Sequence, residues 1–173
     1  MKKIITFSFL LTLIFCAKSK NKAKNEEQVS TYYFIRHAEK DRSDPFNQNP
    51  KLTEKGHQRA LKWAEYFKNI DFDAVYSSDF LRTKQTATPT ADNNNLELTI
   101  YSPIKIDHKK FLKETEGQTI LIVGHSDSTP KFVNKIIGKE KYPDINDNIN
   151  ANLYVITISN NSLSDSLLVV DNN

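Results

Sequence analysis

The sequence contains only one cysteine and four glycines among its 173 residues. A single cysteine excludes an intramolecular disulfide framework, and so little glycine excludes a collagen-like chain. The longest apolar run, residues 4–15, has 12 residues, whereas a helix that spans a membrane needs about 20. The length suits one domain with a substantial core rather than two domains.

The net charge of +3 comes from the start of the chain. Residues 1–27 carry six Lys and two Glu, which leaves 18 basic and 19 acidic residues in the remainder, a net charge of −1. A nearly neutral domain gives no electrostatic reason to expect binding of nucleic acid.

The N-terminal segment has the pattern of an export signal. Two lysines precede the apolar run, and Cys16 follows it directly. We therefore predict a signal peptide over residues 1–16, a polar linker over 17–28 and a folded domain over 29–173. The position of Cys16 resembles a bacterial lipoprotein signal, although Phe15 replaces the small residue that usually precedes the cysteine. The resemblance implies an exported lipoprotein in the cell envelope, facing the periplasm and held to the membrane by a lipid anchor on Cys16; the alternative is an ordinary signal peptide with an incidental cysteine.

Strand and helix patterns alternate four times and end in a hairpin. Helices are predicted over residues 52–70, 79–92, 107–117 and 128–138, and strands over residues 29–35, 72–78, 96–101, 118–126, 152–159 and 162–171. Thr53 is the expected N-cap of the first helix, Asp79 lies in the cap region of the second, and Pro89 is expected to bend or end that helix. This order predicts an α/β protein, a three-layer α/β/α sandwich with a mostly parallel central sheet and a C-terminal hairpin.

Charged and polar residues follow three of the predicted strands. The first strand ends at Arg36 and His37, the second is followed by Arg82, and the fourth ends at His125. Because ligands of open α/β sheets bind beyond the carboxyl ends of the strands, we expect these four side chains to converge. Packing alone would not place them there, because charged residues are rarely buried without a partner.

Two arginines and two histidines suit the transfer of a phosphoryl group. Guanidinium groups bind phosphate oxygens in bidentate fashion, and helix N-termini add amide donors for an anion. A histidine with one unprotonated ring nitrogen is a nucleophile at neutral pH. One histidine can therefore attack phosphorus while the other donates hydrogen bonds, and no metal or cofactor is expected.

Four segments resemble the motifs of the histidine phosphatase superfamily, also called phosphoglycerate-mutase-like. They are "RHAEK" at 36–40, "LTEKG" at 52–56, "SSDFLRTKQTA" at 77–87 and "VGHS" at 123–126. They occur in the family's order and cover most of the predicted domain. The small size resembles the compact, single-domain branch that includes phosphohistidine phosphatases.

The resemblance implies a role for each matching residue. His37 is the expected nucleophile, which becomes phosphohistidine, and Arg36, Arg82 and His125 are expected to bind and polarise the phosphoryl group. The implied protein is a metal-independent phosphatase, a histidine acid-type phosphoric monoester hydrolase, that acts as a monomer on a small phosphorylated substrate. The alternatives are a phosphoglycerate mutase-like transferase and a surface lipoprotein that binds phosphate without catalysis.

The proton donor is the point at which the sequence departs from the family. Many members carry a Glu just after the third strand, where this chain reads "YSPIKID". We rank Asp127 first as the donor, followed by Asp107 and Glu97, and Asp127 also fits a helix N-cap. Glu39 is expected to hold Arg36 or a loop, and His108 to be solvated.

Overall fold

The computed structural model describes residues 28–160 and 162–170, so the predicted signal peptide, Cys16 and nearly all of the predicted linker lie outside the described residues. The helices are α1 (Glu54–Tyr66), α2 (Leu81–Asn93), α3 (His108–Glu114) and α4 (Ser128–Ile137). The strands are β1 (Val29–Arg36), β2 (Ala74–Ser78), β3 (Leu98–Tyr101), β4 (Thr119–Gly124), β5 (Asn152–Ser159) and β6 (Ser162–Val169).

All six strands form one sheet in the order β3-β2-β4-β1-β5-β6. The pairs β1–β4, β2–β4 and β2–β3 are parallel. The pairs β1–β5 and β5–β6 are antiparallel, which makes β5 and β6 the expected hairpin. The predicted α/β class with a mostly parallel sheet is therefore confirmed.

The helices cover both faces of the sheet. On one face, Trp63 of α1 and Ala87 of α2 pack into a core with Ile35 of β1. On the other face, Phe111 of α3 and Phe132 of α4 pack into a second core. Alternate residues of the central strands thus enter opposite cores, which explains why β1 and β4 read as continuous apolar runs.

The first helix begins as its sequence predicts, and the second does not. The Thr53 hydroxyl accepts a hydrogen bond from the amide of Gly56, so Thr53 is the N-cap of α1. Asp79 does not cap α2; its carboxylate pairs with Lys84 at 2.8 Å, and the side-chain oxygen of Asn49 accepts from the amide of Leu81 at 2.8 Å instead. Pro89 does not end α2 either, because the helix continues to Asn93.

Two glycines of the recognised motifs are required by close packing. A Cβ on Gly56 would lie 2.3 Å from the carbonyl oxygen of Glu39, so α1 can approach the loop after β1 only with glycine there. A Cβ on Gly124 would lie 2.6 Å from the hydroxyl of Thr129. At both positions the absence of a Cβ lets a segment that follows a strand pack close to the edge of the sheet.

Over residues 28–160 and 162–170, we find no helix that combines the length and the apolar character needed to cross a membrane.

Candidate active site

One cavity of about 320 Å³ lies beyond the carboxyl ends of β1, β2 and β4. The structure places all five predicted site residues in its wall, namely Arg36, His37, Arg82, His125 and Asp127. Arg36 and His37 lie at the end of β1, and Arg82 lies in the first turn of α2. His125 and Asp127 lie in the segment between β4 and α4. The convergence follows from the parallel pairing of these strands, which brings their carboxyl ends to one edge.

His37 is held in one tautomer by its own loop. Its Nδ1 lies 2.7 Å from the carbonyl oxygen of Ala38, so Nδ1 carries the proton and donates. The other ring nitrogen, Nε2, is therefore the unprotonated one. The peptide of His37 is fixed as well: its N–H donates to Gly124 at 3.0 Å, and its carbonyl accepts from the Asn150 amide at 2.8 Å.

The surroundings of His37 keep its ring neutral. The side chain is only 3% exposed, and this burial is the main cause that lowers its pKa to about 3. The positive charges of Arg36 and Arg82 lower the pKa further, while the hydrogen bond to Ala38 opposes the shift. At neutral pH, His37 thus presents a lone pair on Nε2 without prior loss of a proton.

His125 faces His37, with 5.6 Å between the ring centroids. Its Nε2 lies 2.8 Å from the Ser78 hydroxyl, and its Nδ1 lies 3.4 Å from a guanidinium nitrogen of Arg82. Since a guanidinium can only donate, Nδ1 accepts and Nε2 carries the proton. Burial and the charge of Arg82 lower the pKa of His125 to about 4.

Arg36 is almost fully buried at the end of β1 and is held by the loop before β5. One terminal nitrogen donates to the carbonyl oxygens of Asn146 and Ile149 at 3.1 and 3.0 Å. The other donates to the Asp147 carboxylate at 2.8 Å. Asp147 also binds Arg42 at 3.2 Å. Burial lowers the pKa of Arg36, and Asp147 opposes this by stabilising the charged form.

Arg82 stacks on an aromatic ring beside the cavity. Its guanidinium carbon lies 4.4 Å from the centre of the Phe80 ring, a cation–π geometry that fixes the plane of the side chain. The Nε atoms of both Arg82 and Arg36 are buried and have no hydrogen-bond partner. Two guanidinium groups in the wall of one cavity suit the binding of an anion.

A threonine links the two halves of the site. Its hydroxyl, on Thr86 of α2, accepts from the backbone N–H of Ala38 at 2.9 Å and donates to the carbonyl oxygen of Arg82 at 2.7 Å. The loop after His37 and the turn of α2 that carries Arg82 are thereby joined through one buried side chain. This explains the second threonine, Thr86, of the segment "LRTKQTA".

The three candidate proton donors differ in their positions. Asp127 lines the cavity, pairs with Lys131 at 3.4 Å and makes no side-chain cap, although it occupies the N-cap position of α4. Partial burial raises its pKa, but backbone hydrogen bonds and Lys131 outweigh that effect and lower it overall. Asp107 caps α3 through the amides of Lys109 and Lys110. Neither Asp107 nor Glu97 is among the residues that line the cavity.

Two further expectations can be compared with the structure. Of the two roles expected for Glu39, the structure shows the second: its carboxylate binds Arg59 of α1 at 2.8 to 2.9 Å and so fixes the loop after β1. His108 is not freely solvated, because its ring packs edge-on against Phe132 with 4.7 Å between centroids.

Sequence reasoning missed the loop that closes the site before β5. Asp147 lines the cavity and binds Arg36, and Asn150 supports His37. The segment "DINDNIN" resembles a polar connection and carries no motif. The one available signal was Arg36 itself, since an arginine at the end of a buried strand needs a carboxylate or carbonyl partner.

Within the part of the chain that the structure describes, no group of three or more His, Cys, Asp or Glu side chains is arranged to hold a metal ion.

Comparison with known proteins finds one family model that matches part of the chain. The sequence model of the histidine phosphatase superfamily (branch 1) matches residues 32–105, which include Arg36, His37 and Arg82. Among curated proteins, none matches the chain significantly.

Solved structures share the fold at low sequence identity. The protein histidine phosphatase SixA, solved in complex with tungstate, is 16% identical with a TM-score of 0.61, covering 80% of this chain and 96% of that one. A phosphoserine phosphatase mutant from Entamoeba histolytica, in complex with phosphoserine, is 15% identical with a TM-score of 0.58, covering 78% and 96%. The mycobacterial glucosyl-3-phosphoglycerate phosphatase is 11% identical with a TM-score of 0.60, covering 83% and 99%.

The matched motifs, the order of the strands and the fold shared with compact single-domain phosphatases agree with one another. Residues 32–105 thus match the model of the histidine phosphatase superfamily (branch 1), and the fold is similar to that of solved phosphohistidine phosphatases.

Proposed function

We propose that the protein hydrolyses small phosphate monoesters through a phosphohistidine intermediate on His37. The observation that carries this proposal is the composition of the cavity wall: His37, whose unprotonated ring nitrogen is Nε2, shares the wall with Arg36, Arg82 and His125. A nucleophile next to cationic donors is what the transfer of a phosphoryl group requires.

The reaction proceeds in two displacements. In the first, Nε2 of His37 attacks phosphorus, the bond from phosphorus to the ester oxygen breaks, and the alcohol leaves with a proton. In the second, water attacks the phosphohistidine, the bond from phosphorus to nitrogen breaks, and inorganic phosphate leaves with His37 restored. The hydrogen bond from Nδ1–H to the carbonyl oxygen of Ala38 keeps Nε2 directed at phosphorus during both steps.

Arg36, Arg82 and His125 stabilise the charge that spreads over the phosphoryl oxygens. The guanidinium groups of both arginines line the cavity. His125 is neutral in the empty cavity because its pKa is about 4. A bound phosphate dianion raises the pKa of a neighbouring histidine, so we expect His125 to become protonated and donate from Nδ1. These cationic groups supply the charge stabilisation, and we propose a reaction independent of metal ions.

Asp127 is the proposed proton donor to the leaving alcohol. It is the highest ranked of the three candidates and lies in the cavity wall. Its pKa is low in the empty site, but a phosphate dianion beside it disfavours the charged carboxylate and raises the pKa. Asp147 is the other acid in the wall, and its bonds to Arg36 and Arg42 keep it ionised.

Hydrolysis of p-nitrophenyl phosphate tests the proposal directly, because its leaving group needs little help from an acid. We expect turnover by the wild-type protein and none by His37→Ala. Ser126→Ala, a change at another residue of the cavity wall, controls for general damage to the site. Equal turnover by wild type and His37→Ala would overturn the nucleophile, and an inactive wild type that still binds phosphate would favour a non-catalytic binding protein.

We further propose that the protein is exported and anchored to the membrane by a lipid on Cys16. The support is the order of basic residues, short apolar run and single cysteine at the start of the chain. We expect the protein in the membrane fraction, and Cys16→Ser in the soluble fraction, because one lipid chain or more supplies the apolar contact with the bilayer. Retention of Cys16→Ser in the membrane would point to an uncleaved apolar segment.

A further inference from the structure

A second cavity of about 310 Å³ adjoins the catalytic one. The two share four lining residues, Pro103, Ile104, Asp127 and Ser128. The second cavity extends from there between the loop after β3 and the outer face of α4, where its remaining walls are His108, Lys131, Phe132 and Lys135. A substrate whose phosphate lies on His37 can therefore extend its alcohol part along this groove.

One side of the groove is apolar. Ile104 stands 95% exposed at the junction of the two cavities, next to Pro103. Phe132 forms part of the wall, and the His108 ring packs edge-on against it. Carbon atoms of a leaving group would cover this surface and gain from its removal from water.

The far part of the groove is cationic. In the empty site, Lys131 is paired with Asp127 at 3.4 Å, at the junction of the two cavities. Lys135 lies one helical turn further along the same face of α4, is exposed, and forms no ion pair with any residue in the described part of the chain. An anionic group that extends past the junction would meet the uncompensated charge of Lys135.

We propose that the groove binds the leaving group of the substrate, and that this leaving group has an apolar segment of several carbons ending in a carboxylate or another anion. The inference rests on the proposed phosphatase function and assigns Lys135 to recognition of the distal anion. Charge complementarity selects the anion, and the apolar side of the groove selects a spacer long enough to reach Lys135.

The test compares ω-carboxyalkyl phosphates with their methyl esters at pH 7.5, over a series of chain lengths. The reacting end is the same in each pair, so the ratio of kcat/KM reports only the distal charge. At the best chain length we expect a preference for the free acid of at least about threefold, the size of an exposed ion pair. In the methyl ester series, lengthening the alkyl chain between the phosphate and the carboxyl group should raise kcat/KM by up to about fourfold for each buried methylene.

Lys135→Gln should reduce the preference for the acid to about one. Lys113→Gln is the matched control, because Lys113 is likewise the basic residue in the last turn of its helix, α3, and does not line either cavity. Lys113→Gln should keep the full preference. A melting curve for each variant shows that both remain folded.

The outcomes separate the two proposals. Turnover of p-nitrophenyl phosphate without a preference for the acid at any chain length would overturn the role of the groove and leave the phosphatase intact. A preference that survives in Lys135→Gln would overturn the assignment of Lys135. Absence of hydrolysis of every ester by the wild type would overturn both proposals.

Discussion

Replacing His37 by Gln should weaken the dependence of folding stability on pH below neutrality. In the folded protein the ring binds a proton only near pH 3, because it is 3% exposed and lies beside two arginines. In the unfolded chain a histidine binds a proton near pH 6.5. Between these values the unfolded state carries more protons, so acidification favours unfolding.

The size of the effect follows from the two pKa values. With a folded pKa of about 3 and an unfolded pKa of about 6.5, His37 alone removes about 2 kcal/mol from the free energy of unfolding between pH 7 and pH 5. The contribution is present above the unfolded pKa and is lost progressively below it. His125 adds a loss of the same sign, which remains in the His37→Gln variant.

Urea denaturation at pH 7 and pH 5 measures this difference. Wild type should lose about 2 kcal/mol more than His37→Gln on acidification, and Ser126→Ala, which removes a hydroxyl from the same cavity, should follow the wild type. An equal loss in wild type and His37→Gln would show that the ring is not held neutral, and the argument for a ready nucleophile would fail.

Arg82→Ala should lower kcat/KM by at least about a hundredfold, since a preorganised donor to a developing oxyanion has effects of that order; a loss below about threefold would place Arg82 outside the reaction. Asp127→Asn should slow alkyl phosphates far more than p-nitrophenyl phosphate, because an alkoxide needs a proton to leave and a nitrophenolate does not; equal losses would remove Asp127 from proton transfer. Vanadate should inhibit and a chelator should not; inactivation by a chelator, reversed by a divalent ion, would indicate a metallophosphatase.

The strands, the sheet class and the convergence of the charged residues could be predicted from the sequence. Continuous apolar runs identify β1 and β4 as buried on both faces, and Arg36 and His125 follow them directly. Parallel pairing then requires that these residues meet at one edge. The N-cap of α1 was predictable for a local reason, since Thr53 bonds to the amide three residues later.

The loop before β5 and the details of α2 could not be predicted. Asp147 binds Arg36 across 111 residues of sequence, and no local pattern encodes such a contact. Pro89 does not end α2, which continues to Asn93 with Ala87 and Ala91 packed in the core. Propensity is a weak predictor where burial opposes it.

The central claim is that His37 carries the phosphoryl group during turnover. The most direct measurement is to mix enzyme with substrate, quench within the first turnovers at alkaline pH, where phosphohistidine survives, and locate the phosphate by mass spectrometry. The account predicts phosphate on His37 in the wild type and none on the His37→Ala protein. Phosphate on another residue, or labelling that persists in His37→Ala, would contradict it.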